Sequence, residues 1–263
     1  MPDLGTDELV LTSEGQVATM WLNRPEKRNA VTFNMWEQIP VLLERVANMD
    51  EARVLVVRGA GDHFSGGADI AQLQTDLTDT TSSGGFREIN GIAEEALANF
   101  PLPTVAAIAG YCVGSGCQIA VACDLRIAAK GSHYGITPAK LGITYPAFAI
   151  ERTVSLMGAS ATKHLLLSGE LIDDERALRV GLIDELHQPG DLEARVTELC
   201  STLASRSLMT QRAAKEMVGD IVKHGEVRAD TAARWEREAS TGPDVAEGVA
   251  AFLERRDPKF TWR

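Results

Sequence analysis

The sequence has few cysteines, few aromatic residues and fewer basic than acidic residues. Aromatic residues make up 5% of the 263 positions, and cysteine occurs four times. Four cysteines are too few for a disulfide-stabilised scaffold. The spacing of Cys112, Cys117 and Cys123 matches no zinc signature, so we expect buried thiols and no metal site.

The charge and the hydropathy pattern exclude further classes of protein. The 26 Lys and Arg against 37 Asp and Glu give a formal charge of −11, which disfavours nucleic-acid and anionic lipid partners. The longest weakly polar run, residues 104–113, has about half of the ~20 residues that a membrane span needs. The first ten residues lack a basic segment followed by an apolar one. We therefore expect a cytoplasmic protein that does not bind membranes or nucleic acid.

Strand and helix patterns alternate over most of the chain. Residues 17–22, 54–57 and 105–109 are typical of strands, and weaker strand patterns cover 125–128 and 182–186. Helical spacing covers residues 89–99, 119–122 and 159–167, and then 192–203, 209–222 and 231–238. A polar stretch, residues 75–85, is typical of a surface loop. The sequence therefore predicts an α/β core over residues 1–195 and a helical region over residues 196–263.

Two predicted strands run into glycine-rich turns that begin a helix. The turns are residues 64–70, FSGGADI, and residues 110–117, GYCVGSGC. The first helical turn leaves backbone N–H groups unpaired, and the helix dipole favours negative charge there, so both turns are candidate oxyanion sites. A dinucleotide-binding fingerprint is excluded because Phe64 stands where its third glycine is required. A serine hydrolase nucleophile elbow is excluded because Ser115 lacks the flanking glycines.

These turns and several other segments, in the same order along the chain, resemble the crotonase superfamily of enoyl-CoA hydratases and isomerases. The matching segments are residues 23–30, 64–70, 103–111, 114–117, 123–128, 141–142, 156–158, 167–170 and 177–182. The resemblance implies a spiral of ββα units followed by C-terminal helices, assembled as a homotrimer or homohexamer. It also implies an acyl-CoA thioester as substrate, with no cofactor beyond the coenzyme A that the substrate carries.

The resemblance also implies roles for individual residues. The thioester carbonyl would lie between the backbone amides of Ala68 and Ser115, although the family usually has glycine where Ser115 stands. The implied contacts with coenzyme A are Lys27, Arg28, Ala68, Asp69, Ile70, Gly114 and Lys259. Asp69 is more often structural in the family, and Lys259 is expected to act across a subunit boundary.

The chain departs from the family where hydratases carry two glutamates. Gln118 and Pro138 occupy those positions, and neither side chain exchanges a proton near neutral pH. This argues against ordinary hydration, although both positions remain part of the candidate catalytic set. Tyr145 follows the Leu-Gly pair, in a segment where hydratases have a glycine-rich loop.

Three interpretations remain open. In the first, Tyr145 serves a decarboxylase, in which departure of CO2 generates the enolate. In the second, Glu88, Glu94 or Glu95 supports isomerisation or hydration, although solvated helix charges explain these residues more simply. In the third, the protein is a carrier or sensor that binds acyl-CoA without turnover. Glu151 is also close in sequence, and a local ion pair with Arg152 is the simplest expectation for it.

Overall fold

The computed structural model describes residues 7–78 and 85–262. The strands are β1 (Leu9–Glu14), β2 (Val17–Leu22), β3 (Val54–Gly59), β4 (Thr104–Ile108), β5 (Tyr111–Val113), β6 (Leu125–Ala129), β7 (His133–Gly135), β8 (Ile172–Asp173) and β9 (Glu185–His187). The helices are α1 (Phe33–Ala47), α2 (Ile70–Thr78), α3 (Gly85–Ala98), α4 (Ser115–Ala122), α5 (Ala147–Ser168), α6 (Asp174–Arg179), α7 (Leu192–Ala204), α8 (Leu208–His224), α9 (Ala229–Thr241) and α10 (Pro243–Glu254). No helix among the described residues is long and apolar enough to cross a membrane.

The strands form two sheets that the chain visits in turn. The larger sheet has the order β1-β2-β3-β4-β6-β9, and the smaller one has the order β5-β7-β8. Among the described strands of the larger sheet, β1 pairs antiparallel with β2, and the other neighbouring pairs are parallel. The unit β4, β5 and α4 places one strand in each sheet before its helix, which confirms the predicted ββα arrangement.

The larger sheet is buried on both faces, as its apolar strands predict. Leu55 and Val57 face the main core, whereas Val54 and Val56 face the opposite side. Alternate residues of a strand point to opposite faces, so a continuous apolar run is required where both faces are covered. On the second face, helix α7 supplies three buried residues: Leu192, Val196 and Cys200.

Several boundaries differ from the predicted ones. Residues 195 and 196, between which the sequence predicts a division, both lie inside α7, a helix that packs against β3, β4 and β6. Helix α2 continues to Thr78, so the beginning of the stretch 75–85 is helical and Gly85 opens α3, while residues 79–84 lie outside the described residues. Helix α10 was not predicted. All four cysteines are buried free thiols, which confirms that expectation.

Candidate active site

The two glycine-rich turns lie side by side beyond the carboxyl ends of β3 and β4. Ser65 and Cys112 form a parallel bridge between them. The Ser65 amide donates to the Tyr111 carbonyl at 2.8 Å, and the Ser65 carbonyl accepts from the Val113 amide at 3.0 Å. A Cβ built on Gly116 would lie 2.8 Å from the Cβ of Ser65, so this contact requires glycine.

Gly114 fixes the direction in which helix α4 begins. Its φ of 52° and ψ of −114° lie in a region that residues with a Cβ rarely adopt. Gly67, on the other turn, also has a positive φ, and a Cβ on it would lie 3.3 Å from the Val113 carbonyl oxygen. The two backbones therefore approach closely at the residues that precede Ala68 and Ser115.

Ala68 and Ser115 present backbone N–H groups from these neighbouring turns. Val31 donates to the Gly67 carbonyl at 2.8 Å and accepts from the Asp69 amide at 2.9 Å, so the Ala68 amide between them points away from Val31. Ser115 is the first residue of α4, where an amide has no intrahelical acceptor. Within residues 7–78 and 85–262, neither amide donates a hydrogen bond to another protein group.

Gln118 lies one helical turn after Ser115 and is almost completely buried. Its Oε1 accepts a hydrogen bond of 3.2 Å from the Nδ2 of Asn90, a buried residue of α3. The Gln118 Nε2 and the Asn90 Oδ1 are also buried, and neither has a partner among the described residues. A carboxamide binds and orients a neighbouring group but does not carry a proton between two atoms at neutral pH.

Glu94 follows Asn90 by one turn on the same face of α3, and only 1% of its surface is exposed. The Arg152 Nη1 donates to its Oε1 at 2.6 Å, whereas its Oε2 is buried and has no partner among the described residues. Burial raises the pKa of Glu94 to about 7, although the Arg152 charge opposes the shift. The expectation of a solvated charge is wrong for Glu94, because α3 packs this face against α4 and α5.

Arg152 connects α5 to two adjacent carboxylates of α3. Its second terminal nitrogen contacts Glu95, whose side chain is 44% exposed. Partial burial raises the pKa of Glu95, but Arg152, Asn99 and Lys223 together outweigh it and hold that pKa below its ordinary value. The predicted local pair between Glu151 and Arg152 is wrong: Glu151 is exposed, and Arg152 instead pairs with Glu94 and Glu95. Successive residues of a helix point in different directions, so sequence neighbours do not face each other.

Tyr145 completes what we call the buried polar cluster, which consists of Asn90, Glu94, Gln118 and Tyr145. Its hydroxyl is buried and has no partner among the described residues. Burial raises the pKa of Tyr145 well above its ordinary value, and the nearby Cys117 and Glu94 add to the shift. Pro138 is buried at the start of a 3-10 turn, Pro138–Lys140, and supplies no acid or base.

The predicted coenzyme A contacts near the glycine turns differ in accessibility. Lys27 and Arg28 are exposed in the turn after β2, with the Arg28 guanidinium 5.2 Å from the centre of the Tyr111 ring. Ile70 is 54% exposed at the start of α2. Asp69 accepts from Arg24 at 2.9 Å, and it also caps the first turn of α2.

Lys259 lies at the other end of the sheet in the same chain. It borders a cavity of about 230 Å³ together with Gln16 and Arg53, which directly precede β2 and β3. Lys27 instead follows the end of β2, and the six residues of this strand separate that end from Gln16. Because each residue of a strand advances roughly 3.3 Å, one chain does not bring Lys259 to the Lys27 turn.

The sequence interpretation missed Asn90, although its position carries a signal. Asn90, Ala93, Glu94 and Leu97 are all buried on α3 and follow the spacing of one helix face. Two polar residues within an otherwise apolar stripe indicate a buried polar function rather than a solvated surface.

Comparison with known proteins places the chain in a family. A model of the enoyl-CoA hydratase/isomerase family matches residues 12–263. The chain is 27% identical to the short-chain-enoyl-CoA hydratase of Clostridium acetobutylicum, over 95% of this chain and 96% of that protein. It is 28% identical to the trans-2-decenoyl-[acyl-carrier-protein] isomerase of Streptococcus mutans, over 97% of this chain and 98% of that protein.

Solved structures agree with this result. The crystal structure of an enoyl-CoA hydratase/isomerase family protein from Hyphomonas neptunium superposes with a TM-score of 0.93. Its identity is 32%, with 97% of this chain and 98% of that chain covered. The protein therefore belongs to the enoyl-CoA hydratase/isomerase family and has the crotonase fold, which confirms the predicted resemblance and fold class.

Proposed function

We propose that this protein is an enzyme that binds an acyl-CoA thioester and stabilises its enolate between the amides of Ala68 and Ser115. The supporting observation is the pair of N–H groups, on two contacting turns, that have no protein acceptor among the described residues. An enolate concentrates negative charge on the thioester oxygen, and preorganised donors stabilise that charge without rearranging. The dipole of helix α4 acts in the same direction at Ser115.

The proposed reaction moves a proton between carbon atoms and does not use two glutamates to add water. Gln118 is a carboxamide bound to Asn90, and Pro138 has no ionisable group. Family membership supports this choice, because the family includes isomerases as well as hydratases. The Streptococcus mutans relative is itself named as an isomerase of a decenoyl thioester.

Decarboxylation is a second candidate, and the position of Tyr145 favours it. Loss of CO2 leaves its electron pair on the α-carbon and generates the enolate without a base. The Tyr145 hydroxyl is buried without a partner among the described residues, and its raised pKa keeps it protonated. In this reaction Tyr145 would donate a hydrogen bond or a proton to the intermediate, while Gln118 would orient the substrate.

The test is incubation of the purified protein with a panel of acyl-CoAs in deuterated water, followed by mass spectrometry and a binding titration. The panel contains crotonyl-CoA, a 3-enoyl-CoA and methylmalonyl-CoA. We expect deuterium incorporation at carbon with the 3-enoyl-CoA, whereas loss of CO2 would select the second candidate. Binding with every mass unchanged would leave a carrier or sensor, and absence of binding would overturn the proposal.

We also propose that the protein assembles as a homotrimer or homohexamer. Helix α10 supports this, because it exposes apolar side chains along one face: Val245, Val249, Phe252 and Leu253. Light scattering after size-exclusion chromatography should give the mass of three or six chains. Phe252→Asp should reduce that mass, because a carboxylate would be buried in the interface.

A further inference from the structure

The buried polar cluster contains four polar atoms without a partner among the described residues. They are the Asn90 Oδ1, the Glu94 Oε2, the Gln118 Nε2 and the Tyr145 hydroxyl. Native proteins contain few such atoms, because a buried donor or acceptor without a hydrogen bond costs free energy. Folds accept this cost mainly at functional sites, so four such atoms in one cluster call for a chemical explanation.

The cluster adjoins the predicted oxyanion corner. Ser115 and Gln118 are three residues apart on α4 and are therefore neighbours on its surface, with roughly 5–6 Å between their Cβ atoms. Gln118 is hydrogen-bonded to Asn90, and Glu94 follows Asn90 by four residues on the same face of α3. Two side chains, Gln118 and Asn90, thus connect the Ser115 position on α4 to the Glu94 position on α3.

We propose that Glu94 is the catalytic base and acid of this site, supplied by α3 in place of the missing family glutamates. The proposal rests on the proposed enolate chemistry and names its substrate as a 3-enoyl thioester. The Glu94 Oε2 removes a proton from carbon 2, and the electron pair of the broken C–H bond moves into the thioester. The resulting dienolate oxygen accepts from Ala68 and Ser115. The proton held on Glu94 exchanges with solvent, and Glu94 then delivers a proton to carbon 4, giving a 2-enoyl thioester and the original carboxylate.

The electrostatic surroundings of Glu94 suit this role. Burial raises the pKa of Glu94 to about 7, near the value at which a group both accepts and returns a proton at neutral pH. Arg152 on α5 limits the rise, and Glu95 on α3 adds to it. Within the cluster, burial keeps Tyr145 neutral, and Tyr145 also interacts with the buried thiols Cys117 on α4 and Cys112 on β5.

Arg152 occupies only one oxygen of Glu94. Its Nη1 binds Oε1, its other terminal nitrogen contacts Glu95, and Oε2 is left for proton transfer. Glu95 is therefore a matched control: it shares the helix and the arginine with Glu94, but it is partly exposed and lies outside the cluster.

The test compares Glu94→Gln with Glu95→Gln in isomerisation of a 3-enoyl-CoA and in exchange of its carbon-2 proton with deuterium. Glu94→Gln should lower kcat by about 100-fold or more, since general bases contribute roughly 10²–10⁴-fold. Glu95→Gln should retain activity within about threefold, as for a surface change away from the reaction. Acyl-CoA affinity should be similar in both variants, because only the proton-transfer group is removed.

The pH profile gives a second readout on the unmodified protein. The rate constant kcat/KM should rise with pH through about 7, as the Glu94 carboxylate ionises, and Glu94→Gln should lack that limb. If Glu94→Gln fails to fold, a wild-type profile without this limb would overturn the assignment.

The outcomes separate the two proposals. A wild-type protein that binds no acyl-CoA contradicts the proposed function. A wild-type protein that binds and isomerises the substrate, with Glu94→Gln retaining more than about a third of its activity, contradicts only the role of Glu94.

Discussion

The glycine turns and the buried polar cluster meet at one corner of the molecule, but they are built in different ways. The turns are held by backbone geometry: Gly114 adopts a positive φ, and Ser65 pairs with Cys112 through main-chain hydrogen bonds. The cluster is formed by side chains of α3 and α4 together with Tyr145 just before α5, and Arg152 joins α5 to Glu94 on α3.

This difference determines which half of the site tolerates sequence change. Backbone donors persist through many substitutions, provided that the glycines at close contacts remain. Proton transfer depends on the identity of one side chain. A carboxylate on a different helix can replace it where packing places that carboxylate close to the same substrate atoms. Under the proposed function, the backbone donors of the family are kept, Gln118 stands at a family glutamate position, and Glu94 supplies the carboxylate from α3.

The largest effect is expected for Gly114→Ala, which disrupts the second glycine-rich turn. A Cβ at this φ forces the backbone to shift and misplaces the Ser115 amide. Loss of one oxyanion donor costs about 2.7–4 kcal/mol, so kcat/KM should fall by roughly 100–1,000-fold. The measurement is steady-state turnover of the 3-enoyl-CoA.

Gly131→Ala is the control for this prediction. Gly131 has a φ of 85° with open space around the position of its Cβ. This variant should lose about 1–2 kcal/mol of unfolding free energy but keep its turnover. Equal losses of turnover in the two variants would contradict a specific role for the Gly114 turn.

The next-largest effect concerns stability, and it tests the ionisation of Glu94 in the buried polar cluster. Because the pKa of Glu94 rises from 4.5 to about 7 on folding, the folded protein binds more protons than the unfolded one between these values. Stability from this group is therefore greatest at low pH and falls as pH rises towards 7. Between about pH 5 and pH 8 the free energy of unfolding of the wild type should fall by roughly 2–3 kcal/mol relative to that of Glu94→Gln.

Urea unfolding of both proteins across this pH range measures that difference. The comparison cancels contributions from the other titrating groups, which the two proteins share. A difference in unfolding free energy that does not change with pH would show that Glu94 ionises normally in the folded protein.

The smallest effect is expected for Tyr145→Phe, which removes a buried hydroxyl without a partner among the described residues. Unfolding free energy should stay the same or rise by about 1 kcal/mol. Isomerisation should continue within about threefold, whereas a decarboxylase would lose most of its activity. Thermal unfolding and turnover with both substrates distinguish these results.

The glycine-rich turns were largely predictable from the sequence, whereas the buried polar cluster was not. Continuous apolar strands ending in glycine-rich turns are local signals, and the structure places residues 64–70 and 110–117 together, as the family order implies. The burial of Glu94 depends on α3 packing against α4 and α5, and its arginine lies 58 residues away in the chain. A tertiary contact between residues 58 positions apart leaves no periodic signal in the sequence. The sequence therefore predicts a pair between Arg152 and its neighbour Glu151 instead.

The position of Lys259 has a consequence for how this protein responds to dilution. Lys259 lies beyond the start of β2, whereas Lys27 lies beyond its end. We therefore predict that a Lys259 that contacts coenzyme A at the Lys27 turn comes from another copy of the chain. If the proposed oligomer places Lys259 of one copy against the coenzyme A bound by another, mass action links ligand affinity to assembly: dilution would weaken coenzyme A binding, and the ligand would in turn hold the subunits together.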